Sequence, residues 1–171
     1  MADYPIQGEN TTFQEIYDRF FGKITDDMYV DNGDSGWTKE DTERDVYNIL
    51  MDAIPGFEFP RFPLYDYNEV GFNCHLTSEE INILAILMYN SWLQRQIASI
   101  ENTRMKYYGN SDFKMSSQAN HLAKLMNLKQ EAERQSLHAQ RLYKRRKNID
   151  GKGSIKSNWS AVMERSAFDD F

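Results

Sequence analysis

The chain is predicted to be all-α, a bundle of about four helices with a long C-terminal helix, an ordered proline- and aromatic-rich loop and an extended C-terminal arm. Three observations lead there. Apolar residues recur at helical rather than alternating spacing through most of the 171 residues. Two segments open with a Thr followed three residues later by Glu, the spacing of a capping box. Gly, Pro and short polar residues break the periodic stretches where connections are needed. With 40% hydrophobic, 13% aromatic and 27% charged residues, the composition is that of a globular protein. The length suits one compact domain plus an arm. The expected division is a helical domain over 1–147, with a connecting segment at 54–76, and an arm over 148–171.

The first helix is announced by "TTFQEIYDRFFGKITDDMY". Thr12 and Glu15 form the capping pair, and Phe13, Ile16, Tyr17, Phe20, Phe21, Ile24 and Met28 fall on one stripe. The spacing predicts a helix over roughly 12–29, followed by a loop at "VDNGDSGW". A second helix is expected over about 38–53, acidic in its first turn, apolar at Val46, Ile49, Leu50, Ala53 and Ile54, and ended by Pro55. "LTSEEINILAILMYNSWLQRQIASIENTRMKYY" carries the second capping pair, Thr77 and Glu80, and an apolar stripe so broad that this helix is expected at the centre of the core. After "GNSDFKMSS", with Ser116 or Ser117 as cap, a long helix is expected to about residue 147. Its apolar face, Ala119, Leu122, Leu125, Met126, Leu128, Ala132, Leu137 and Leu142, thins beyond Leu128. A helix of about 30 residues is roughly 45 Å long, so its second half is expected to project from the bundle. The arm ends in scattered apolar residues, among them Trp159, Met163 and Phe168, which bury little unless a partner orders them.

The stretch "AIPGFEFPRFPLYDYNEVGF" puts three prolines among Phe57, Phe59, Phe62, Tyr65, Tyr67 and Phe72. One reading wraps it around the bundle with its rings in the core. The other turns Phe57, Phe59, Arg61, Phe62, Tyr65 and Tyr67 outward as a contact loop, since proline pre-organises backbone and aromatic rings anchor interfaces.

Catalytic chemistry is hard to assemble from these residues. His75, His121 and His138 stand far apart, with no HExxH or CxxC partner, and no Gly-rich phosphate loop or GxSxG elbow occurs. "DNGDSG" has the composition of a calcium loop without its ligand order. Neither an enzyme nor a cofactor nor a metal site is expected. Cys74 is the one cysteine and reads as a small buried hydrophobe. The opening residues lack an apolar leader, and the uncharged run Ile81–Gln94 falls short of the roughly 20 apolar residues of a bilayer span. The expectation is a protein made in a reducing cytoplasm, with no membrane role.

Charge is distributed unevenly. Residues 1–75 hold 16 Asp and Glu against 5 Lys and Arg, net −11, and residues 76–171 hold 10 against 15, net +5. If these halves face different ways, copies can meet acidic face to basic face; otherwise the charges are solvated helix faces. The cluster Arg141, Lys144, Arg145, Arg146 and Lys147 suits a helix C-terminus through the helix dipole, and would also neutralise phosphates in a nucleic-acid binder.

"IPGFEFPRF", "LTSEEINILAILM", "WLQRQIASIENTRMKYYGNSDFKMSSQANHLAKL" and "HAQRLYKRRK" together resemble structural proteins of tailed bacteriophages that infect Gram-positive bacteria, and most closely the head-tail connector, adaptor or neck, family. The resemblance implies an α-helical virion protein in the phage neck, made in the host cytoplasm. It forms a ring, of twelve copies in the family, that joins the portal to the tail and lines the DNA exit channel. It also implies that Arg141, Lys144, Arg145, Arg146, Lys147, Trp159, Met163 and Phe168 reach the portal protein or a neighbouring subunit, with other neck or tail proteins beyond and non-specific contact to genomic DNA in the lumen. The length and the proline-aromatic insertion depart from small connectors. The rival readings are a tail-completion or tail-terminator protein, or a small helical nucleic-acid binder.

Overall fold

The computed structural model describes residues 10–24, 38–106 and 112–146, with the backbone alone at either end of the third helical connection and at 148–149 and 155–156. The fold is all-α. Its helices are α1, Phe13–Phe21, α2, Lys39–Ala53, α3, Ser78–Lys106, and α4, Asp112–Arg146. A short antiparallel ladder pairs Asn148 with Lys156 and Ile149 with Ile155.

Each of the first three helices starts on a reciprocal cap. Thr12 Oγ1 accepts from Glu15 N while Glu15 Oε1 accepts from Thr12 N at 3.0 Å. Thr38 and Asp41 repeat the motif at α2, a box whose Asp shares the chemistry of the Glu version. At α3, Thr77 N donates to Glu80 Oε2 at 2.6 Å and Glu80 N to Thr77 Oγ1. α1 ends eight residues before its expected limit. Gly22 is its C-cap, and Lys23 N and Ile24 N bond three residues back, tightening the chain out of the helix. Ile24 still packs on the core, but from a turn; the remainder of that expectation and the loop at 30–37 lie outside the described residues. α2 ends as expected, and Ile54–Gly56 forms a 3-10 turn with Pro55 inside it.

α3 is the central helix. Ile83, Leu84, Ala85 and Met88 are fully buried, and α1, α2 and α4 all pack against it. With Phe13, Ile16 and Phe20 of α1 and Val46, Ile49, Leu50 and Ala53 of α2, they form the main core. A smaller cluster further along joins Leu93 and Ile97 to Leu125 and Ala132 of α4.

α4 differs from expectation twice. It starts at Asp112, so Ser116 and Ser117 lie inside the helix instead of capping it; an acidic first residue suits the positive end of the helix dipole. Its second half does not project. Ala132, Ser136, Gln140 and Tyr143 are buried, while Met126, Leu128 and Leu137, counted by periodicity as core, are exposed. The inward row is small and polar, and hydrogen bonds let it pack where apolar periodicity finds nothing.

The connecting segment wraps the bundle and buries Phe57, Leu64, Phe72, Cys74 and Leu76. It is stitched to the residues before α1. Thr11 N donates to Cys74 O, Phe72 N to Thr11 O and Phe13 N to Val70 O, each at 3.0 Å, and Leu76 N donates to the buried Thr11 Oγ1 at 2.8 Å. Burial pushes the Cys74 thiol up to about 11, so it is a packed, unreactive group at neutral pH.

Candidate functional site

The two features singled out from sequence, the proline-aromatic loop and the basic end of α4, come together in space. Gln140 holds them. Glu58 N donates to Gln140 Oε1 at 2.8 Å, and Gln140 Nε2 donates to Gly56 O at 3.1 Å and to Ser136 Oγ at 3.2 Å. One turn on, Tyr143 meets Phe57 edge to face at 5.7 Å, and Lys144 Nζ lies 3.8 Å above the ring of Phe59. Phe59 stays 44% exposed, so the contact leaves a ring capped by a cation at the surface. Arg141 and Arg145 are exposed on the same end of α4.

Beneath this surface is a buried polar knot. Glu80, with no exposed area, accepts from Thr77 N, from Arg61 Nη2 at 3.1 Å and from the hydroxyl of Tyr143. Arg61 also donates to His75 O at 2.7 Å and lies 4.6 Å from the centre of the Phe62 ring. One carboxylate thus ties the start of α3, the loop and the end of α4 together. Burial and the adjoining Glu80 carboxylate raise the pKa of the Tyr143 phenol, which therefore serves as a donor and stays neutral.

Placement corrects several expectations for the loop. Phe57 is 4% exposed and belongs to the core, because its ring fills the space between α4 and the 3-10 turn. Arg61 points inward, since the buried Glu80 carboxylate requires a cation. Phe62 is half-buried and packs on the main core. Tyr67 is braced by Phe13 and Phe72 with only part of its ring outward. Tyr65 faces solvent, at 72% exposed. Of the arm-side candidates, the side chain of Arg146 and all of Lys147, Trp159, Met163 and Phe168 lie outside the described residues.

Sequence reasoning missed Gln140, Tyr143 and the tertiary role of Glu80. The signal was present as Ser136, Gln140 and Tyr143, spaced four and three apart on the face that carries Ala132 and Ala139. Gln140→Ala is expected to cost about 1–3 kcal/mol in chemical denaturation, the range for stranding buried polar groups. Hydrogen exchange should speed at Glu58 and leave the centre of α3 protected. Unchanged exchange at Glu58 would remove Gln140 from its role as the clamp.

A cleft of about 370 Å³ is lined by Asp52, Asn90, Ser91, Gln94, Arg95 and Lys129. Its cations are already engaged. Arg95 bridges Asp45 and Asp52 at 2.8 Å each, and Lys129 pairs with Glu133 at 2.7 Å. Among the described residues no group of three or more His, Cys, Asp or Glu is placed to hold a metal ion, and no helix is long and apolar enough to cross a membrane. The α4 surface displays exposed guanidinium groups and a cation-capped ring over a hydrogen-bonded backbone. No family model, curated protein or solved structure matches this chain.

Proposed function

We propose that this chain is a structural assembly protein, a head-tail connector in the neck of a tailed bacteriophage, joining portal to tail as a ring of identical copies around the DNA exit channel. The observation that supports this most is the single surface made by the end of α4 and the proline-aromatic loop. Phe59, Lys144, Arg141 and Arg145 are displayed on a frame fixed by Gln140, Tyr143 and Glu80. Such a frame lowers the entropy lost on docking, and its mix of ring and guanidinium is the usual chemistry of interface anchors. In this reading the portal protein or a neighbouring copy receives that surface, and the arm beyond residue 147, with Trp159 as its anchor, extends the contact.

Negative-stain electron microscopy of the purified protein, alone and mixed with the portal protein of its own gene cluster, tests the reading. Rings, or an added layer on the portal, are expected. Compact monomers indifferent to the portal would overturn it. The same exposed cations favour a second reading, non-specific nucleic-acid binding, which predicts a steep loss of DNA affinity as salt rises. Arg145→Ala with Arg146→Ala separates the two: the connector loses assembly with little change in DNA affinity, and a DNA binder does the reverse.

A further inference from the structure

The basic end of α4 has an acidic counterpart elsewhere on the same chain. Between Arg61 and Arg95 there is no Lys or Arg, and the turn at 65–71 carries Asp66 and Glu69. This turn is unusually well braced. Asn68 Oδ1 accepts from Val70 N at 2.8 Å and Gly71 N at 3.0 Å, Asn68 Nδ2 donates to Asn73 Oδ1 at 3.0 Å, and Asn73 Nδ2 donates to Asp66 Oδ1 at 2.7 Å. Its polar groups are spent on itself. What it offers outward is Tyr65 at 72% and Val70 at 68% exposed, two apolar side chains on a fixed backbone, with Glu69 exposed between them.

The α4 surface has the opposite charge and a similar design. From Arg134 to Lys147 the sequence contains no Asp or Glu, and the exposed Arg141 and Arg145 stand one turn apart on the same end of α4 whose Lys144 lies over the exposed Phe59. The turn is bonded to the residues leading into α1, and the α4 end is bonded to Gly56 and Glu58; no ion pair among the described residues joins them. Each therefore has its charge available for another molecule.

The geometry points to a heterologous contact in which the acidic turn of one copy, Tyr65, Asp66, Glu69 and Val70, docks on Arg141, Arg145 and Phe59 of a second copy. This rests on the reading of the chain as an assembling protein and names the surfaces that assemble. Because the two patches differ, the contact repeats from copy to copy and closes into a ring or runs on as a filament, instead of stopping at a two-fold dimer. Opposite charges would set the register and speed encounter, and the rigid apolar pairs would supply the anchors.

Charge exchange read by sedimentation velocity tests it, with and without the portal protein, after circular dichroism has shown each variant folded. Glu69→Arg, and separately Arg141→Glu with Arg145→Glu, should each weaken self-association about tenfold or more, in keeping with loss of paired interface charges. Mixed together, these two variants should assemble again, since each keeps one sound patch and the two exchanged patches are once more of opposite charge. All three substitutions in one chain should restore larger assemblies. If Glu69→Arg assembles as the wild type does, this pairing is wrong while rings or a portal layer still support the connector. If the wild type neither self-associates nor binds the portal, both readings fall.

Discussion

Glu80→Ala is expected to destabilise the fold by about 3–5 kcal/mol, the range for removing one partner of a buried charged pair. Three groups lose their acceptor at once: Thr77 N at the start of α3, the Arg61 guanidinium in the loop, and the Tyr143 hydroxyl at the end of α4. Arg61 is only slightly exposed and its Nε already lacks a partner, so the cation left behind has little water to turn to. A double-mutant cycle with Tyr143→Phe should show a coupling of at least about 1 kcal/mol, because the two side chains act through one bond. If Glu80→Ala cost no more than loss of an exposed helix cap, about 1 kcal/mol, the carboxylate would be a local cap and not the tie between three elements.

Two phenols bear on stability at alkaline pH. Tyr143 has its pKa raised by burial and by Glu80, and Tyr17 is pushed up to about 12 chiefly by burial. A phenol whose folded pKa exceeds its free value of 10.0 contributes stability that is complete below that pH and is lost as pH rises through the folded value. Stability should therefore fall on the alkaline side of pH 10.0, and less steeply in Tyr143→Phe.

What the sequence revealed follows from the range of the forces involved. The capping pairs at Thr12 and Thr77 were legible because both partners lie within one helical turn, and the central place of α3 was legible because Ile83, Leu84 and Met88 leave few faces for water. The end of α1 was harder, since Ile24 keeps the apolar rhythm even though Gly22 has already closed the helix. The second half of α4 and the inward turn of Arg61 were hidden for a different reason. They depend on partners 19 to 84 residues away, Glu80 for Arg61 and Tyr143, and Gly56 for Gln140, and a polar side chain looks solvent-bound until that partner is known. The support beneath the candidate surface was not legible for the same reason. Phe57 and Arg61 had to be moved from the surface to the frame, leaving Phe59, Tyr65, Arg141 and Arg145 outside.

The other large effect should come from the smallest substitution, Gly71→Ala. A Cβ on Gly71 would stand 2.3 Å from Thr11 O and 2.7 Å from Thr12 Cα, and both are backbone atoms that cannot rotate aside. The turn must then draw away from the residues before α1, breaking the bonds from Phe72 N to Thr11 O and from Phe13 N to Val70 O. It also loosens the edge-to-face contact of Phe13 with the fully buried Phe72, whose ring centres are 5.3 Å apart. Overpacking of this kind costs about 1–3 kcal/mol and each lost hydrogen bond about 1, so thermal or urea denaturation should register a loss of about 3 kcal/mol or more. Gly22→Ala supplies the control. There the Cβ would meet only Arg19 O and Asp18 O at 3.6 Å, in ordinary contact, and the backbone is already right-handed helical at φ −64°. Restricting the unfolded chain should leave that variant as stable as the wild type or stabilise it by up to about 1 kcal/mol. Opposite outcomes from one chemical change would locate the requirement for glycine in the close approach of two backbones at Thr11 and Gly71. Equal outcomes would mean that this seam yields easily, and the rigid display of Val70 and Tyr65 would lose its footing with it.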